Sequence, residues 1–184
     1  MTKAEQLKLL ALARATIVAN INGQPLPEVT KISPALESQS GCFVTIKQRG
    51  QLRGCIGSFS AQQPLWQTVQ EMVVSAATRD PRFYPMTVPD LADFQLEISV
   101  LSPLQLIQSI DAITVGIHGL YLIKGHAHGV LLPQVAVEYG WDRDTFLRHT
   151  CLKAGLPETA WQKGCDIYIF SAEVFGDEPS ANFK

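Results

Sequence analysis

The chain has 184 residues, of which 46% are hydrophobic, with 15 basic and 17 acidic residues and a formal net charge of −2. A chain of this length buries roughly two-thirds of its unfolded surface, so we expect a substantial core in one domain or in two small lobes. The near-neutral charge, without a block of like charges, argues against a nucleic-acid-binding arm and against a disordered tail.

The N-terminal segment and the cysteines predict a cytoplasmic protein with free thiols. The most apolar N-terminal stretch, residues 7–21, contains Lys8 and Arg14 and is followed by no small-residue cleavage pattern, which is unlike a signal peptide or a membrane-spanning helix. The four cysteines, at positions 42, 55, 151 and 165, form no C-x-x-C pair. Such spacing in an intracellular chain favours free thiols over disulfide bonds or a structural zinc site.

The hydrophobic pattern predicts an amphipathic helix over residues 3–21. Its predicted apolar face consists of Leu7, Leu10, Ala11, Ile17, Val18 and Ile21. Arg14 lies in the middle of that face, so its head group either reaches solvent or an acidic partner, or else points as a charge into a cleft. Asn22-Gly23 ends the helix, and residues 24–34, with three prolines, are expected to be extended.

A β-hairpin is predicted next, with strands over residues 42–48 and 51–58 joined at Arg49-Gly50. The turn length that places Lys47 opposite Leu52 also sets the rest of the register. The cross-strand pairs expected from it are Lys47 with Leu52, Val44 with Cys55, and Ile46 with Arg53.

The remaining pattern predicts an α+β fold, with antiparallel sheets and flanking helices rather than a doubly wound sheet. Pro64 opens a helix that stops at Asp80-Pro81, and residues 94–101 alternate as a strand with Glu97 on the less apolar face. Further strands are predicted over residues 113–117, 120–124, 130–132 and 166–175, and further helices over 133–139 and 142–154, the last capped by Asp142.

The stretch QLRGCIGSF, residues 51–59, carries the strongest candidate for chemistry. In a regular strand Arg53, Cys55 and Gly57 share one face, and Leu52 and Ile56 share the other. An arginine beside a cysteine lowers the thiol pKa and so favours the nucleophilic thiolate, and Gly57 leaves room for a substrate. The alternative is that Cys55 is a small apolar residue within the sheet, as free cysteines usually are.

Arg79, Asp80 and Arg82 form a second charged cluster, at the end of a predicted helix. At least one of these arginines can cap the helix or pair with Asp80. Together with Arg53 they can instead form a fork that binds a carboxylate or a phosphate.

Among the four histidines, His118 lies between Gly116 and Gly119 and is a candidate general base. His126 and His128 are alternate residues of a glycine-bounded turn with no third ligand at suitable spacing, and His149 is expected at a helix surface. The sequence contains no P-loop, no G-x-G-x-x-G after a strand and no H-E-x-x-H. We therefore expect neither a metal site nor a cofactor.

Leu52 to Gly57 read LRGCIG, and on this hexapeptide the chain resembles the AMMECR family, of the kind found in AmmeMemoRadiSam systems. The resemblance continues through Ser75–Phe83, Leu96–Pro103, Gly116–Leu120, Gly129–Asp142 and Phe146–Leu156, and thus covers nearly the whole chain. It implies an α+β fold of two unequal lobes around a cleft that contains the hexapeptide. The signature positions that it implies are Arg53, Gly54, Cys55, Gly57, Arg79, Asp80, Arg82, Glu97 and His118.

The resemblance implies partners but no activity, because the family has no settled biochemical function. Prokaryotic members are similar to components of a three-part set with a Memo-like protein and a radical-SAM protein, which suggests a shared pathway.

Three functions remain open on the sequence. The first is an enzyme that holds a small anionic or protein substrate, with Cys55 as nucleophile, Arg53 as anion ligand, and Glu97 or His118 as proton carrier. The second is a non-catalytic module whose arginine-rich surface binds a partner protein. The third and weakest is nucleic-acid binding through basic side chains, namely Lys47, Arg49, Arg53, Arg79 and Arg82.

Overall fold

Two compact units make up the chain in the computed structural model, which describes residues 1–30, 32–59 and 62–177. Among the described residues, the first unit comprises those within 1–100 together with 173–177, and the second comprises Leu101–Ala172. Two four-stranded antiparallel sheets combine with helices, which confirms the predicted α+β class. No helix in the described residues is long and apolar enough to cross a membrane.

The first unit contains three of the α-helices and one of the sheets. The helices are α1 (Lys3–Ile21), α2 (Pro34–Glu37) and α3 (Leu65–Thr78), and the strands are β1 (Cys42–Gln48), β2 (Gln51–Ser58), β3 (Gln95–Leu101) and, late in the chain, β8 (Ala172–Gly176). The order of the strands in the sheet is β2-β1-β3-β8. The buried residues of α1 and α3 and those of β1 and β3 form one hydrophobic cluster, so the helices cover one face of the sheet.

The second unit has its own sheet and its own hydrophobic cluster. Its strands are β4 (Gln105–Leu106), β5 (Gly119–Lys124), β6 (Ala127–Leu131) and β7 (Asp166–Phe170), in the order β4-β7-β5-β6, and its helices are α4 (Pro133–Glu138) and α5 (Arg143–Lys153). Asp142 caps α5 as predicted, because its Oδ1 accepts a hydrogen bond from the Thr145 N–H at 2.8 Å.

Helix α1 begins at a capping box in which Thr2 and Glu5 bind each other's backbone N–H groups. Its buried side matches the predicted one only in part, at Leu10 and Ile17. The core takes up Leu9, Leu10, Ala13, Thr16 and Ile17, whereas Leu7, Ala11 and Val18 are exposed. The apolar sector of α1 is wider than the stripe that contacts the core, so the prediction misplaced the centre of the buried face.

Arg14 meets an acidic partner, one of the alternatives left open by the sequence. Its guanidinium pairs with the Asp177 carboxylate, donates a hydrogen bond to the Phe94 carbonyl at 3.2 Å and stacks on the Phe94 ring with 4.3 Å between the guanidinium carbon and the ring centroid. Arg14 therefore joins α1 to the segments that flank β3 and β8.

The β1–β2 hairpin is regular up to a β-bulge at Arg53. The pairing of Lys47 with Leu52 is confirmed, but the next observed pair is Ile46 with Gly54, which leaves Arg53 as an extra residue. The predicted pairs of Val44 with Cys55 and of Ile46 with Arg53 are therefore wrong by one residue. The observed pairs beyond the bulge are Thr45 with Cys55, Val44 with Ile56, Phe43 with Gly57 and Cys42 with Ser58.

Two other predicted strands differ from the structure. Residues 113–117 form a turn, with the Ile117 and His118 N–H groups bonded to the Thr114 carbonyl and Gly116 at φ 86°. The predicted strand over residues 166–175 is interrupted at Ser171, so that β7 joins the second sheet and β8 the first.

Candidate functional site

Gly54 belongs to the face of the hairpin that α3 covers. A Cβ atom at Gly54 would lie inside contact distance of the Ala76 carbonyl oxygen of α3, and therefore only glycine fits. Its neighbour in the register, Ile46, is fully buried, and Ile56 packs on the same cluster. Gly54 and Ile56 of the LRGCIG motif therefore serve the packing of α3 on β2.

The backbone of Cys55 is held at the outer edge of the sheet by the segment that follows α3. The Cys55 N–H donates to Asp80 Oδ2 at 2.9 Å, and the Cys55 carbonyl accepts from Arg82 Nη2 at 3.2 Å. Both groups point away from β1, so the pair of Thr45 with Cys55 is a non-hydrogen-bonded pair, the type with the closer side chains. Residues 80–82 thus cover the exposed edge of β2 at this point.

Asp80 connects this arrangement and is 4% exposed. Its two carboxylate oxygens accept from Arg82 Nε at 2.9 Å and Nη2 at 2.7 Å, and Oδ1 also accepts from the Arg82 N–H at 3.1 Å. The hydrogen bond from the Arg82 side chain, together with that from the Cys55 N–H, lowers the pKa of Asp80 far below its usual range. Asp80 is therefore charged and buried. Its ion pair with Arg82 is the structural role that the sequence left open, as opposed to a fork that binds an anion.

The side chain of Cys55 lies on the other face of the sheet, in a polar row across three strands. Cys55 on β2 is opposite Thr45 on β1, and Thr45 is opposite Glu97 on β3. The half-buried Cys55 Sγ accepts a hydrogen bond from the Thr45 hydroxyl at 3.3 Å. Lys47 Nζ lies 3.1 Å from Glu97 Oε2, which adds a cation to the end of the row. The structure thus brings Cys55 and Glu97 onto one face.

Thr45 was not predicted as a site residue, and Lys47 was predicted only as a candidate nucleic-acid ligand. The available signal was weak: in the sequence CFVTIKQ both occupy the polar positions that alternate with Val44 and Ile46. Only the register across the bulge shows that Thr45 is the residue opposite the sulfur.

Arg53 is engaged elsewhere. Its guanidinium, on a side chain 16% exposed, lies 3.6 Å from Asp90 Oδ2. Hydrogen bonds from the Thr87 N–H and hydroxyl, and then the charge of Arg53, lower the pKa of Asp90. Arg53 is the unpaired residue of the bulge and its guanidinium is next to the Asp90 carboxylate, so the anion-binding role beside Cys55 stays a prediction.

The space beside Gly57 is filled. A Cβ at Gly57 would overlap the ring of Phe43, its partner in the register. That ring also packs edge-on against Phe59, with 5.0 Å between centroids. The prediction that Gly57 leaves room for a substrate is therefore wrong, because its glycine is required by an aromatic side chain of β1.

The other three cysteines are less suited to act as nucleophiles. Burial raises the pKa of the Cys42 thiol to about 12, and burial also raises the pKa of Cys151 and Cys165. Cys165 Sγ lies 2.9 Å from the Ala160 carbonyl oxygen, to which it donates. All four cysteines are free. Cys55 differs in having a hydroxyl donor at its sulfur.

The basic side chains proposed for nucleic-acid binding are largely neutralised within the protein. Ion pairs join Lys47 to Glu97, Arg49 to Asp93, Arg53 to Asp90, and Arg82 to Asp80. Arg79 is exposed at the end of α3, and its N–H bonds to the Ser75 carbonyl. The candidate anion fork therefore consists of arginines that already have internal carboxylate partners, apart from Arg79.

The histidines lie in the second unit. His118 Nδ1 accepts a hydrogen bond from the Thr114 N–H at 3.1 Å, which ties its ring to the turn that precedes β5. His128 contacts the ring of Tyr121, and His149 stacks on Trp141 with 3.9 Å between centroids. Within residues 1–30, 32–59 and 62–177, no group of three side chains is placed to hold a metal ion.

Comparison with known proteins gives the family. The family model AMMECR1 matches residues 10–175. The chain belongs to the AMMECR1 family. Archaeal AMMECR1 relatives include protein Mbar_A1807 of Methanosarcina barkeri, 38% identical over 97% of this chain and 93% of that protein, and protein MK0488 of Methanopyrus kandleri, 40% identical over 97% and 91%.

A solved structure has the same fold. The crystal structure of uncharacterized protein PH0010 from Pyrococcus horikoshii matches with a TM-score of 0.84 and 37% identity, over 92% of this chain and 90% of that one. Membership of the AMMECR1 family accounts for the LRGCIG hexapeptide. The geometry adds that this motif and the TRDPR segment form one structural unit, joined at the backbone of Cys55.

Proposed function

We propose that this AMMECR1 protein is a cytosolic thiol enzyme, or the thiol-bearing subunit of one, in which Cys55 is the nucleophile. Cys55 Sγ attacks an electrophilic carbon of a small or protein-borne substrate that lies over the polar row of the first sheet, so a sulfur–carbon bond forms as the bond from that carbon to its leaving group breaks. The hydroxyl of Thr45 stabilises the developing thiolate. Glu97, one strand further across, takes up the thiol proton through an intervening water and passes it to the leaving group.

A single observation supports this proposal above the others: the Thr45 hydroxyl donates to Cys55 Sγ at 3.3 Å on a half-buried sheet face. Packing explains why Gly54, Ile56 and Gly57 occupy their positions in the motif. The hydrogen bonds from Asp80 and Arg82 explain how the backbone of Cys55 is held. Neither explains why a thiol follows Gly54. A carboxylate on the same face, Glu97, supplies the acid–base group, and its ion pair with Lys47 holds it in place.

The experiment is to measure the alkylation rate of each cysteine by iodoacetamide at pH 7, by mass spectrometry, in the wild type and in two Thr45 variants. Cys55 is expected to react fastest, with Cys165 as the internal reference. Thr45→Val removes the donor and is expected to slow Cys55 alkylation about tenfold, the effect of one hydrogen bond to a charged group. Thr45→Ser keeps the hydroxyl and should keep the rate.

Equal rates at Cys55 and Cys165, or a Cys55 rate that Thr45→Val leaves unchanged, would reject the nucleophile. Once a substrate is known, Cys55→Ser is expected to abolish turnover. A Cys55→Ser protein that turns over substrate at the wild-type rate would reject the proposal independently of the alkylation data.

A second candidate function, a module that binds partner proteins, has one observation in its favour. Tyr84 is 91% exposed and lies two residues after Arg82, whose side chain is 54% exposed. Tyrosine and arginine are the residue types that dominate binding energy in protein interfaces. The partners implied by the family are a Memo-like and a radical-SAM protein. Tyr84→Ser is expected to weaken their binding tenfold or more, and unchanged binding would reject this role.

A further inference from the structure

A groove of about 790 Å³ lies in the first unit between helix α1 and strand β8. Leu7 and Ala11 of α1 and Val174 of β8 form its apolar lining. Leu7 is 54% exposed and Ala11 is also exposed, although both belong to the apolar sector that the helix pattern directs towards a core. The groove thus contains apolar surface that the described residues leave uncovered.

Strand β8 contributes a free edge to this groove. It is the last strand in the order β2-β1-β3-β8, among the strands of the described residues. The Asp177 N–H donates to the Leu96 carbonyl on the β3 side. Backbone groups alternate in direction along an antiparallel strand, so the N–H and carbonyl groups of Val174 and Gly176 point outward. The described residues supply no partner for these groups, and such an edge is a template for another strand.

The charges in the groove do not cancel. Arg14 and Asp177 pair with each other. Glu173, next to the lining, is held by the amino group of Met1 at 2.9 Å and by Gln6 Nε2 at 2.8 Å. Lys3 is exposed and has no ion pair in the part of the chain that the structure describes. The Lys3 end of the groove therefore carries one uncompensated positive charge.

We propose that this groove binds an extended segment of another protein, which adds to β8 as a further strand. Its backbone pairs with Val174 and Gly176, alternate apolar side chains contact Leu7 and Ala11, and an acidic group meets Lys3. The twelve residues of helix from Lys3 to Arg14 span about 16 Å. About five residues of extended chain cover that distance.

The experiment selects binders to the full-length protein from a random decapeptide library displayed on phage, and measures the affinity of the enriched peptides by fluorescence anisotropy. Enriched peptides are expected to have apolar residues at alternate positions and an acidic residue near one end. Leu7→Gln and Lys3→Glu should each weaken binding at least tenfold. Val18→Gln is the matched control, because Val18 is an exposed apolar residue of the same helix outside the groove lining.

A second groove variant tests the strand pairing itself. Val174→Pro removes an outward N–H while leaving the bonds to β3, and an edge strand accepts proline at such a position. It should abolish peptide binding, with an unchanged circular dichroism spectrum showing that the fold persists. If the spectrum changes, N-methylation of the peptide backbone at alternate positions replaces this variant, and should abolish binding in one register only.

Several results would overturn the proposal. Failure to enrich any peptide, or peptides that bind the Leu7→Gln and Val18→Gln proteins equally, would reject the groove as their site. A wild-type dimer that Leu7→Gln converts to a monomer in sedimentation would show that a second copy of the chain occupies the groove.

Discussion

Asp80 connects α3, which ends just before it, to β2, the strand that carries the LRGCIG motif. No catalytic role is expected for Asp80 itself. A buried carboxylate without partners would be strongly destabilising, whereas here four hydrogen bonds satisfy it. Three of these bonds come from Arg82 on the same loop, and the fourth comes from the backbone of Cys55. The position of the Cys55 backbone therefore depends on a buried charge in the segment that follows α3.

We predict that Asp80→Asn lowers the free energy of unfolding at pH 7 by about 3 kcal/mol, the cost of removing one partner of a buried ion pair. The pKa of Asp80 is lowered in the folded protein, so its stabilisation is complete above the ordinary carboxyl pKa of about 4. It is lost as the pH falls below that value. Urea unfolding of both proteins from pH 7 to pH 3 should show a constant difference down to about pH 5 and a shrinking one below pH 4.

The control for this prediction is Arg82→Lys, which keeps a positive charge but loses the two-pronged contact with Asp80. Its destabilisation should be smaller, because the Arg82 side chain is 54% exposed. A difference in unfolding free energy between wild type and Asp80→Asn that does not change with pH would mean that the lost hydrogen-bond geometry of the carboxylate, rather than its lost charge, destabilises the variant.

At the scale of elements, the close approach of β2 and α3 determines what can occupy position 54. We predict that Gly54→Ala destabilises the protein by about 3 kcal/mol, the upper part of the usual range for overpacking, because its methyl group would overlap a helix carbonyl that cannot move alone. The same substitution should raise the alkylation rate of the neighbouring Cys55, since β2 must shift away from α3.

Gly50→Ala serves as the comparison for that substitution. Gly50 lies in the hairpin turn at φ 75°, and no atom lies within 4 Å of the position that a Cβ would take, so only backbone strain opposes the methyl group. Its cost should be about 1 kcal/mol. Thermal unfolding measures both variants, and equal losses of stability would show that the contact with Ala76 does not limit position 54.

The elements of the first unit could largely be predicted from the sequence, but their faces could not. The hydrophobic periodicity and the turn residues place α1, the hairpin and β3 within a residue or two of their observed ends. The bulge at Arg53 leaves no trace in the hydrophobic pattern, and one extra residue is enough to exchange Val44 for Thr45 as the residue opposite Cys55. The buried side of α1 depends on what packs against it, which a single helix does not encode.

The polar row shows the same limit at the site. Glu97 could be placed on a polar face from its own strand, and Cys55 could be singled out from its motif. Their meeting on one face depends on β1 lying between β2 and β3, a strand order that no local pattern specifies. Asp80 and Arg82 were identified as a cluster, but their hydrogen bonds to the Cys55 backbone are tertiary and long-range.

For the whole molecule, the chain crosses from one unit to the other and returns. The interruption at Ser171 sends β7 and β8 to different sheets, although residues 166–175 read as a single strand. Each unit nevertheless has a buried cluster of its own, one around α3 and the other around α5. A separate core in each unit leads us to expect that a cavity in one core loosens that unit first.

Hydrogen exchange of paired core variants tests this expectation. Leu147 of α5 is fully buried in the second unit and Leu65 of α3 nearly so in the first, and truncating either to alanine should cost about 3 kcal/mol. Leu147→Ala should accelerate exchange of the β5 and β7 amides about 100-fold while changing those of β1 and β3 less than about threefold, and Leu65→Ala should give the reverse. If both variants accelerate all four strands equally, the two cores unfold as one cooperative structure, since a local cavity would then weaken every strand alike.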